Sequence, residues 1–147
     1  MNVETTDTRL RVEVELAAPV DRAWVALTAP DALSEWWGNY VRLAPEVGGE
    51  LREEWTDDTG RVVVTTGIVM RCEPPVSLAM TWADEDWPGA TTVAFTLAEH
   101  GGGRTVLRLE HAGWDALPVD RRRALIEAHA AGWRDHLESL RSYLRRG

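Results

Sequence analysis

The 147-residue chain has one cysteine, no lysine, one phenylalanine and no apolar run near membrane-spanning length. A lone thiol, Cys72, can neither close an internal disulfide nor complete a thiolate zinc site. A spanning helix takes roughly 20 apolar residues, and no stretch approaches that. The opening MNVETTDTRL lacks the basic and apolar regions of a signal peptide, so a cytoplasmic protein without membrane attachment is expected. There is no Gly-x-Ser-x-Gly elbow, phosphate loop or dinucleotide fingerprint, and no cofactor is expected. The formal charge of −8 argues against nucleic acid, because phosphate binding draws on a surplus of basic residues.

What is present is enough chain for one core. A domain of this length buries roughly 68–70% of its unfolded surface, and residues 1–147 read as a single domain with its core about 9–145. Arg9–Leu16 alternates Leu10, Val12, Val14 and Leu16 with charged residues, the period of a half-buried strand. After Pro19, Val20, Ala23, Trp24 and Leu27 recur at helical spacing, and Pro30 separates them from a second short helix over Asp31–Trp37. Further strands are expected over Tyr40–Leu43, Gly49–Trp55, Arg61–Cys72, Ser77–Ala83, Thr91–Ala98 and Arg104–His111, with Asp-, Pro- and Gly-rich turns between them.

From Pro118 onward, Ile126, Ala130, Trp133, Leu137, Leu140 and Leu144 form one apolar stripe on a helix of about 40 Å. The predicted class is α+β: a curved antiparallel sheet wrapped around a long C-terminal helix, with two short helices after the first strand. Charge is uneven, with nine Arg against 20 acids in residues 1–117 and seven against four in 118–147. A basic helix docked on an acidic sheet is the expectation.

Ala18-Pro19-Val20-Asp21-Arg22-Ala23-Trp24 followed by Trp36-Trp37-Gly38 resembles the opening of the AHSA-like family, the branch of the START-like superfamily related to the heat-shock-chaperone ATPase activator. Gly48-Gly49, Gly67 to Trp82 with Pro74-Pro75, His111-Ala112-Gly113-Trp114, and His129 with Gly132-Trp133, Leu137 and Leu140 continue the likeness in order. The resemblance implies a helix-grip fold whose cavity, between sheet and long helix, takes apolar ligands. Bacterial members of this branch mostly lack an assigned ligand. The eukaryotic activator carries an additional N-terminal domain for which this chain has no room, so no chaperone partner is expected, and the chain is expected as a monomer or homodimer.

The candidate cavity residues are Trp36, Trp37, Glu53, Trp55, Met80, Trp82, Phe95, Leu109, His111, His129, Trp133 and Leu137. Alternation puts Leu78, Met80 and Trp82 on one face, as it does Val93, Phe95 and Leu97, and likewise Leu107, Leu109 and His111. Those faces can close into a core plugged by Trp133 or leave a ligand cavity, and the resemblance favours the cavity. Eight Trp beside one Phe and two Tyr is an unusual balance, since a buried indole N–H needs a partner. The resemblance places Trp36 and Trp37 near the cavity mouth with one of them partly exposed, and the alternative is that both staple helix to sheet.

Glu53 shares a face with Leu51 and Trp55; edge exposure or an Arg pair is the leading expectation for it, and a direct ligand role, orienting a hydroxyl or acting as a base with a raised pKa, is the alternative. Gly132, costly inside a helix by roughly 0.8–1.0 kcal/mol, asks for close helix approach or ligand room. His129 and His136 stand about 10 Å apart along the helix, too far to share a metal ion. Binding of an apolar or aromatic small molecule is the leading reading. A polyketide-cyclase-like enzyme using Glu53, His111 or Tyr40 is the alternative. A chaperone-associated or stress-related interaction module docking through the charge-asymmetric surface is the second, and the shortness of the acidic run Asp84 to Asp86 argues against a strong partner.

Overall fold

The computed structural model describes residues 1–38 and 40–146. The strands β1 (Asn2–Thr5), β2 (Arg9–Leu16), β3 (Val41–Leu43), β4 (Glu50–Thr56), β5 (Val62–Glu73), β6 (Ser77–Asp84), β7 (Thr91–Glu99) and β8 (Thr105–Ala112) make one antiparallel sheet. Their spatial order is β1-β2-β8-β7-β6-β5-β4-β3. Two short helices, α1 (Val20–Thr28) and α2 (Pro30–Trp36), carry the chain from β2 to the far edge at β3, and α3 (Val119–Arg146) closes the concave face.

The two sequence periods meet in one core. Leu10, Val12, Val14 and Leu16 of β2, Leu78, Met80 and Trp82 of β6, Val93, Phe95 and Leu97 of β7, and Leu107 and Leu109 of β8 are all buried. They face the buried α3 stripe of Ile126, Ala130, Trp133, Leu137, Leu140 and Leu144. Pro30 separates the short helices: it drives Ala29 into extended backbone, φ −75° and ψ 135°, and then opens α2 at the turn where its missing N–H is harmless.

Gly67 in β5 is a different kind of requirement. A Cβ there would lie 1.9 Å from the Thr81 carbonyl oxygen of β6, so the strands approach at a distance only a bare backbone permits. A register shift between Val69 and Arg71 follows at once, and such irregularities bend a strand and increase its twist.

Two elements depart from the sequence expectation. The first strand is β1, not Arg9–Leu16: all four of its residues are exposed, so it has no alternation to read, and it is held by pairing with β2. A short 3-10 turn over Trp114–Ala116 precedes α3 and buries Trp114 completely. Among the described residues no helix is long and apolar enough to cross a membrane.

Candidate functional site

Strand register builds the polar half of the site. Glu53 of β4 lies opposite Thr65 of β5, and Thr65 lies opposite Asp84 of β6, so three polar side chains form one row across adjacent strands on the concave face. Thr65 Oγ1 donates to Asp84 Oδ1 at 2.6 Å. The apolar half comes from Trp82 beside Asp84, Trp55 beyond Glu53, and Trp133 on α3. Between them is a cavity of about 300 Å³, completed by Tyr40 at the mouth and by Ala128, His129, Gly132 and His136 of α3. Tyr40 and Trp55 are each 38% exposed, which opens this end to solvent.

Glu53 is buried at 6% exposure, and its Oε2 accepts the indole N–H of Trp37 at 2.7 Å. Burial pushes its pKa from 4.5 up to about 7; the Trp37 hydrogen bond opposes the rise, and nearby Asp84 adds to it. Asp84 is also raised by burial, with its Thr65 hydrogen bond pulling the other way. Tyr40 is raised by burial and by the charge of Glu53.

The imidazoles move oppositely, since burial disfavours their charged form. Burial takes His136 down to about 4. It also lowers His129, whose Nδ1 contacts the Leu125 carbonyl at 2.9 Å while Nε2 accepts the Trp82 indole N–H at 3.4 Å. A proton on Nδ1 and a lone pair on Nε2 satisfy both contacts, so this ring is a neutral wall.

Five candidate residues come together on the cavity: Glu53, Trp55, Trp82, His129 and Trp133. Trp36, Trp37, Met80, Phe95, Leu109, His111 and Leu137 stand behind that wall in the closed core. Trp36 and Trp37 are both buried, at 4% and 5% exposure, against the expectation that one would be partly exposed. The reason is hydrogen bonding: Trp36 donates to the Ala26 carbonyl at 2.7 Å and Trp37 to Glu53, so both polar handles are satisfied inside.

Glu53 is correspondingly neither at an exposed edge nor paired with Arg. Its neighbour Arg52 points to the other face and pairs with Glu54 at 2.9 Å. His111, a candidate acid–base group, is spent on structure, with Trp133 and Thr91 bonded to its two nitrogens. The acidic run is dispersed: Asp84 turns inward, Glu85 lies 3.9 Å from Arg61, and Asp86 lies 3.7 Å from Arg121.

Sequence reasoning left Thr65, Asp84, Ala128 and His136 out of the site. Alternation along β6 carried the signal for Asp84, two residues beyond Trp82, but the acidic neighbours Glu85 and Asp86 masked it as a loop. Of the two explanations for Gly132 the structure excludes close packing, because a Cβ at that position would meet nothing within 4 Å. Among the described residues no three His, Cys, Asp or Glu side chains are grouped as a metal ion would need.

A sheet gripping one long helix, with a side cavity between them, is the helix-grip architecture of the START-like superfamily. Within it the chain belongs to the family of activator of Hsp90 ATPase homolog 1-like proteins, whose family model matches residues 17–145. A crystal structure of a Rhodobacter sphaeroides protein is similar at 27% identity and TM-score 0.79, covering 99% of this chain and 98% of its own. A Mesorhizobium loti protein is similar at 31% identity and TM-score 0.74, covering 94% and 97%. DynU16, described as a protein in the dynemicin biosynthetic locus, is similar at 26% identity and TM-score 0.72, covering 95% of this chain and 48% of that one. No curated protein matches the chain.

Proposed function

We propose that the chain binds a small apolar or aromatic molecule in the cavity between β4–β6 and α3. The observation that carries this reading is Gly132: it stands mid-helix at a stability cost, its missing side chain faces empty space, and that space is the cavity. At about 300 Å³ the cavity is at the lower end of the range for small-molecule sites. Trp55, Trp82 and Trp133 give it aromatic walls, and Glu53 and Asp84 give it polar groups that can orient an occupant. Its likeness to DynU16, a protein in a biosynthetic locus, supports a small-molecule role.

Native mass spectrometry of gently purified protein, followed by Trp-fluorescence titration with aromatic compounds, tests the reading. A Gly132→Leu variant should remain folded and lose uptake. Uptake unchanged by a leucine at this position would overturn the assignment of the cavity.

A second reading, acid–base catalysis on the bound molecule, is favoured by Glu53 and Tyr40 sharing the cavity with the Glu53 pKa at about 7. Conversion of a captured compound by the parent protein but not by Glu53→Gln would support it; identical product profiles would count against it.

A further inference from the structure

The walls of the cavity have a charge character that the apolar reading does not use. Two carboxyl groups, Glu53 and Asp84, enter it, and among the described residues no Arg lines it, in a chain that has no Lys. Tyr40, Trp55, Trp82 and Trp133 line it with phenol and indole rings, the Trp82 and Trp133 centroids 5.0 Å apart at 53°, two walls of a corner. Indole faces attract cations through the ring quadrupole, most strongly where water is displaced. Among the described residues only Trp37 donates to the Glu53 carboxyl, and it bonds Oε2.

We propose that the occupant carries a positively charged nitrogen, an aromatic or apolar amine whose ammonium group meets Glu53 and Asp84 while its hydrophobic part lies against the corner that Trp82 and Trp133 form. This rests on the reading that the cavity binds a ligand, and narrows it to a chemical class. An anionic ligand would face two carboxyls with no cation to offset them. A neutral one would gain the apolar contacts and a hydrogen bond to a carboxyl, without the attraction between opposite charges. The other titratable groups around Glu53 are Tyr40 at the mouth, Asp84 on β6, and His129 and His136 on α3; Arg52 and Glu54 lie on the opposite face of β4. Both histidines are held neutral by burial, so neither repels an ammonium. The Glu53 carboxyl, at about 7, is partly protonated near neutral pH, and an arriving ammonium would ionise it and release a proton.

The test is calorimetric titration of the whole chain with three probes of one shape and three charges: tryptamine, indole-3-ethanol and indole-3-acetate. Near pH 8, tryptamine should bind at least about tenfold more tightly than the alcohol, and the acetate more weakly than both. Glu53→Gln and Asp84→Asn should each shrink the preference for the amine, read as the ratio of amine to alcohol affinity in the same variant. Titrations near pH 6.5 in two buffers of different ionisation heat should show proton release on tryptamine binding to the parent, absent in Glu53→Gln. Alcohol binding equal to or tighter than amine binding would overturn the cationic assignment while leaving the apolar reading standing, as would an amine preference that survives both substitutions. Binding of none of the three below about 1 mM would overturn both.

Discussion

Trp133 on α3 donates its indole N–H to Nδ1 of His111 on β8 across 3.1 Å, and that bond assigns the tautomer of a fully buried imidazole. The proton is on Nε2, which donates to Thr91 Oγ1 at 2.7 Å, and the Thr91 hydroxyl passes its own proton to the Trp82 carbonyl at 2.7 Å. Helix and three strands are tied by one directional chain. Trp133→Phe preserves most of the ring packing and leaves Nδ1 unpaired, an expected loss of about 1–3 kcal/mol. Trp133→Ala adds a cavity and should cost about 3–5 kcal/mol. Denaturant midpoints measure both, and a Phe variant as stable as the parent would show that the bond contributes nothing.

Glu53 should make stability depend on pH in an unusual direction for a carboxylate. Its pKa is raised from 4.5 to about 7, so between those values the folded protein holds a proton that the unfolded chain has released. The stability this provides is complete below about pH 4.5 and is lost as pH rises through about 7. Glu53→Gln keeps an acceptor for Trp37 but cannot ionise. Relative to the parent it should gain up to about 3 kcal/mol between roughly pH 5 and pH 8 in urea unfolding. Parallel pH profiles for the two proteins would be the contrary result.

The buried histidines act in the opposite sense. Burial lowers His111, His129 and His136, the last to about 4, so the folded state excludes protons that the unfolded chain binds below about 6.5. The contribution of these groups is full above that value and falls as the solution is acidified, opposite in sign to that of Glu53. His136→Gln should flatten this acid limb by about 3 kcal/mol between roughly pH 6.5 and pH 4. An unchanged limb would mean that His136 titrates normally.

Gly132→Ala should separate stability from uptake. Alanine is favoured over glycine in a helix interior by roughly 0.8–1.0 kcal/mol. Its Cβ meets nothing within 4 Å, so the gain should be realised in full while the cavity shrinks. A higher denaturant midpoint with weaker probe binding is the expected pair of results, and a destabilised variant would contradict the open geometry.

Gly67→Ala should do the reverse. The added methyl would be driven against the Thr81 carbonyl, backbone that cannot swing aside, and overpacking of this kind typically costs about 1–3 kcal/mol. Thermal unfolding reads the loss. A neutral outcome would mean that β5 and β6 can separate without penalty.

Most of the architecture was legible from local pattern, because period two and period 3.6 each name the side that must leave water. Leu10 to Leu16, Leu78 to Trp82 and Ile126 to Leu144 all face the core as their spacing requires. The strand β1 was not legible, since its four exposed residues are held by backbone pairing, which any sequence can make.

At the site, sequence alone determined which face of β4 and which face of α3 carry Glu53 and Trp133. Only the tertiary structure decided that Trp37 would reach Glu53 from just beyond the end of α2, that His111 would be consumed by Trp133 and Thr91, and that Thr65 and Asp84 would join the row. The physical reason is range. Alternation and helical spacing are properties of neighbours along the chain, whereas a buried polar group is satisfied by whichever partner the register of distant strands brings within about 3 Å.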